Sequence, residues 1–81
     1  MGYDARVPPD AEQILGEMIA AQEAKLLALA RRLVSHLTPE DLLNPHDFVP
    51  LVESAEFNYE DGILAGLRAA RAALRASCRT A

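Results

Sequence analysis

At 81 residues, 51% of them hydrophobic and 25% charged, the chain is one domain near the size at which a single apolar core supplies only a few kcal/mol of stability. Its formal net charge of −4 argues against a general nucleic-acid binder, which needs cations to neutralise phosphates. No apolar run approaches the ~20 residues of a membrane span, and a lone cysteine, Cys78, excludes an intrachain disulfide and fits a reducing cytoplasm. The charge is unevenly placed. Residues 1–35 carry five acids and four bases, residues 36–67 seven acids and no base, and residues 68–81 four arginines and no acid.

Residues 1–9 read as a flexible lead that ends in Pro8-Pro9, followed by one helical domain over 10–79. Asp10 and Gln13 have capping-box spacing, and nothing but Gly16 interrupts a helix over about 11–37. Leu15, Ile19, Gln22, Leu26, Leu29, Leu33 and His36 repeat with 4-3-4-3 spacing, which turns one face toward a partner helix. Toward its C-terminal half the face widens to take in Leu27, Ala30, Val34 and Leu37.

Between His36 and Gly62 lies an acidic waist holding three of the five prolines. Thr38-Pro39-Glu40-Asp41 has an N-cap, proline at the first helical position and acids beside the helix dipole, so a short helix is expected over 39–43. A second is expected over 46–53, ending at Ser54-Ala55. Asn58 is taken as the start of a last helix over about 59–78.

That last helix has three stripes. Ile63, Leu67, Ala70 and Leu74 are mostly large, whereas Gly62, Gly66, Ala69, Ala73 and Ala76 are small and suggest a backbone approaching closely. Arg68, Arg71, Arg75 and Arg79 form a basic stripe suited to an acidic partner or to phosphates.

The pattern predicts an all-α fold: an antiparallel pair of long helices joined by one or two short ones. On dimerisation the pair forms a four-helix bundle, because a ~40 Å first helix is too long for the rest of the chain to wrap. The expected packing residues are Leu15, Ile19, Leu26, Leu29, Leu33, Gly62, Gly66, Leu67 and Leu74. The alternative is a monomer whose waist covers the open face through Phe48, Leu51, Val52 and Phe57.

No residue arrangement points to catalysis, a cofactor or a metal. His36 and His46 lie near Glu40, Asp41 and Asp47 without metal-ligand spacing. Gln22 and His36 on the apolar stripe read as register-fixing polar residues, and Ser35 and His36 cannot share a helix face. The expected function is therefore a cytoplasmic interaction module that binds itself or another protein and has no catalysis of its own. The alternatives are a helical enzyme or binder that clamps an anionic metabolite with Arg31, Arg32 or Arg68, and an Arg-stripe binder of an acidic partner or nucleic acid.

The run Gln22-Glu23-Ala24-Lys25-Leu26-Leu27-Ala28-Leu29-Ala30-Arg31-Arg32-Leu33 resembles the first-helix pattern of all-helical chorismate mutases, dimers of one long and two shorter helices. The resemblance implies several cations around a dicarboxylate. The segment that follows is acidic where that family would want a lysine, and the family is not assigned on a dozen residues.

Overall fold

The computed structural model describes residues 10–80, with side chains as far as Ser77. Within them there is no strand. Helix α1 spans Ala11–Leu33; two 3-10 helices, Pro39–Leu43 and Pro45–Asp47, follow; then come a single turn, α2 (Val49–Val52), and the long α3 (Ala55–Thr80). The long helices pack against each other, and the short ones lie across one end of the pair. Their 23 and 26 residues correspond to about 35 and 39 Å.

Helix α1 is shorter than the sequence pattern suggests. Val34 still donates to the Ala30 carbonyl at 2.8 Å but is extended, with φ −136° and ψ 95°. No proline or glycine forces this break. The turn drops Leu37 into the core at 1% exposure, while Arg31 Nε donates to the Leu37 carbonyl at 2.8 Å. Burial of that leucine, worth about 1.5–3 kcal/mol, outweighs the lost final helical turn.

At the other end of α1 the expected capping box is not made. Asp10 has helical backbone angles and no side-chain cap bond, and Gln13 instead donates to Glu17 at 3.2 Å. Thr38, in contrast, forms a complete box: Asp41 N donates to its hydroxyl at 3.3 Å, and Thr38 N donates to Asp41 Oδ2 at 2.9 Å.

Helix α3 starts at Ala55 rather than Tyr59. The Ser54 hydroxyl accepts from Phe57 N at 3.0 Å and so caps the helix, while the Asn58 amide reaches back to the carbonyls of Val52 and Ser54, both at 2.9 Å.

The core is Ile19, Leu26, Leu29, Ala30, Leu37, Leu51, Phe57 and Leu64, with Leu27, Val34, Leu42, Phe48 and Leu67 packed against it. The widened face of α1 is thus covered by the chain's own waist, chiefly through Leu51 and Phe57. Val52, expected in that cover, is 50% exposed. The core is concentrated at the closed end of the hairpin. On α1 only Ile19 is buried before Leu26, and on α3 no described side chain after Leu64 is buried.

Candidate functional site

Among the described residues, one charged side chain is buried between the long helices. Glu60 on α3 is 8% exposed. Its carboxylate accepts from Gln22 Nε2 at 2.7 Å and faces the Lys25 ammonium at 3.2 Å, while Gln22 also donates to the Glu60 carbonyl at 3.0 Å. The Gln22 hydrogen bond, followed by that of Lys25, holds the carboxyl below its ordinary pKa, against an opposing push from burial. Gln22 therefore does face inward, and its partner explains why.

Among the described residues, four cross-helix ion pairs divide the hairpin into two sides. Lys25–Glu60 and Arg32–Glu56 lie along one flank. Arg68–Glu23 at 2.5 Å and Arg75–Glu12 lie along the other. Two members of the arginine stripe are thus occupied within the chain, each in a half-exposed pair worth at most ~1 kcal/mol. Arg71 is half-buried, and the side chain of Arg79 lies outside those described. The acids that engage the stripe come from α1, not from the acidic waist.

On the Lys25–Glu60 flank the two helices present an apolar face. At 100° per residue, Ile14, Met18, Lys25 and Arg32 lie within about 40° of one another on α1. Glu56, Glu60, Ile63, Leu67 and Leu74 lie within about 60° on α3. The ion pairs bridge these two stripes, so their apolar members border the same side. Ile14 is 50% exposed, Met18 48% and Ile63 37%, with Leu67 and Leu74 half-buried.

Of the expected packing residues, Ile19, Leu26 and Leu29 are buried and Leu15, Leu67 and Leu74 half-buried, whereas Leu33, at the helix end, is exposed. The close approach expected at Gly62 and Gly66 is not made within the chain: a Cβ added to either would meet nothing within 4 Å. The face of α3 turned to α1 carries Phe57, Glu60 and Leu64 instead.

The opposite flank holds a cleft of about 280 Å³ between α1, α3 and the first 3-10 helix. Leu26, Leu27, Leu42, Leu43, Pro39 and Leu64 give it an apolar lining, and Glu23, Asp61 and Arg68 add charge. Of the arginines proposed as anion clamps, only Arg68 reaches it; Arg31 is bonded to Leu37, and Arg32 is paired with Glu56. The cations of the run resembling chorismate mutases, Lys25, Arg31 and Arg32, are likewise each engaged within the chain.

His36 and His46 are exposed, and among the described residues no group of three His, Cys, Asp or Glu side chains could hold a metal ion. No described helix is long and apolar enough to cross a membrane. No family model, curated protein or solved structure matches the chain.

Proposed function

We propose that this chain is a helical protein–protein interaction module, with no catalysis of its own, that acts as a homodimer in the cytoplasm. Two hairpins pack through the Ile14, Met18, Ile63, Leu67 and Leu74 face to make a four-helix bundle. The observation that carries this reading is the position of that face. It lies toward the open half of the hairpin, where Ile19 is the only fully buried residue before Leu26 and nothing after Leu64 is fully buried among the described side chains.

A pair of helices alone cannot enclose an apolar core, and a second pair laid against it can. Self-association suits the face because a two-fold axis sets the same apolar patch against itself, and Lys25–Glu60 and Arg32–Glu56 at its margin are already neutralised. The cytoplasmic placement rests on the lone cysteine.

Light scattering across a concentration series, at low and high salt, tests the proposal. A mass of twice the chain that persists in high salt is expected, since apolar burial is not screened. A monomer at micromolar concentration would sink the dimer and leave the face for a different protein.

A further inference from the structure

The cleft on the other side of the hairpin lies apart from the proposed dimer face. We propose that it is a docking pocket for a partner protein's amphipathic helix, one that inserts a large apolar side chain and carries a lysine or arginine beside it.

The size of the cleft favours a side chain over a metabolite. At about 280 Å³ it falls just below the ~300–1,000 Å³ of pockets that enclose small ligands, yet it has room for one or two anchoring side chains. Its wall is unusual for so small a core. The first 3-10 helix carries Leu42 half-buried and Leu43 71% exposed, although both line the cleft. An apolar anchor seated there would remove Leu43 from water and extend the packing that already holds Leu27 and Leu64.

Charge at the mouth sets the sign of the partner. Arg68 is held by Glu23 at 2.5 Å, so these two cancel. Asp61 also lines the cleft, is half-buried, and its side chain makes no hydrogen bond or ion pair with any described residue. Glu40, next to Pro39 on the wall, is exposed. A cation on the incoming helix would find Asp61 in the cleft and Glu40 beside its wall, whereas an acidic helix would be repelled. This is groove recognition, in which apolar anchors supply affinity and flanking charge selects the partner.

The test uses the full chain and a fluorescein-labelled peptide that places leucines on one face of a helix and lysines on the other, with binding read by fluorescence anisotropy. The Leu/Lys peptide is expected to bind, and its counterpart with glutamate in place of lysine is not. Leu43→Ser, at an exposed site that leaves the core intact, should weaken binding about tenfold. Asp61→Asn should weaken it about fivefold. Glu53→Gln removes an equal charge outside the cleft lining and should change nothing.

Unchanged affinity in Leu43→Ser overturns the proposal. So does an equal loss in Asp61→Asn and Glu53→Gln, which would mean diffuse charge attraction alone. Light scattering on the peptide mixture separates the remaining occupant: if added peptide splits a dimer, the cleft belongs to a second copy and the proposal fails. A chain that is monomeric from the start removes the dimer reading but leaves this test intact.

Discussion

Gln22 and Glu60, 38 positions apart, are joined twice: one side-chain amide nitrogen reaches both the carboxylate, at 2.7 Å, and the backbone carbonyl of the same residue, at 3.0 Å. Both bonds come from one turn of α1 and fall on one residue of α3, so sliding either helix by a turn breaks them together. This pair fixes the register of the hairpin in a way that apolar contacts, which tolerate slippage, do not.

The same pair gives the fold a dependence on acidity. The folded pKa of Glu60 is lowered, so its contribution to stability is complete above the ordinary carboxylate value of about 4.3 and is lost as pH falls through the lowered folded value. Melting temperatures taken from neutral pH into the acid range should fall more steeply for the natural chain than for Glu60→Gln. Parallel curves would mean that other carboxylates govern acid unfolding.

Core substitutions should divide sharply by position. Phe57→Ala is expected to cost about 3–5 kcal/mol and Leu51→Ala about 2–5 kcal/mol, because both side chains are fully buried where the waist meets the long helices. Val49→Ala, two residues before Leu51 on α2 but at a position 63% exposed, should stay within about 0.5 kcal/mol. Chemical denaturation of the three variants measures the contrast.

Placing charge on the proposed dimer face should separate association from folding. Met18→Glu combined with Ile63→Glu puts carboxylates at sites 48% and 37% exposed in the single chain, so the circular dichroism spectrum should remain helical. The light-scattering mass should halve. A variant that keeps the parent's doubled mass would show that the contact lies elsewhere.

Gly62 lies about 160° around α3 from Leu64, in open space. Gly62→Ala should therefore stabilise the chain by about 1 kcal/mol through helix propensity alone. A lower melting temperature would instead reveal a neighbour pressed against that position in the assembled protein.

Much of the architecture was legible in the sequence because its signals are local. The Thr38-Pro39 start, the Asn44-Pro45 interruption and the spacing of Ile19, Leu26 and Leu29 act within a few residues and survive in the fold. The start of α3 was also written locally, in Ser54, but the segment Ser54-Ala55 reads equally well as the end of the preceding turn. Which face of α3 turns inward was only partly legible. Of the apolar stripe Ile63, Leu67 and Leu74, Leu67 packs against the core, yet the centre of the side set against α1 carries Phe57, Leu64 and a buried carboxylate.

Periodicity counts Glu60 as a solvent position; its distant partners Gln22 and Lys25 make its burial tolerable. The pairing of Arg68 and Arg75 was hidden for the same reason. Their acids, Glu23 and Glu12, sit on another helix, and register between helices is not a property of either one alone.

The crowding of the core toward the waist implies that the hairpin does not open as a unit. In the single chain, amides along residues 14–18 and 67–77 are held by helix hydrogen bonds with little buried apolar surface beneath them, whereas those around Leu26–Ala30 and Phe57–Leu64 lie over the core. Deuterium should therefore enter from the open end by local fraying and reach the waist only through global unfolding. Association through the open half would flatten that gradient, so the exchange pattern at low and high protein concentration reports, amide by amide, how far the fold is completed by a second molecule.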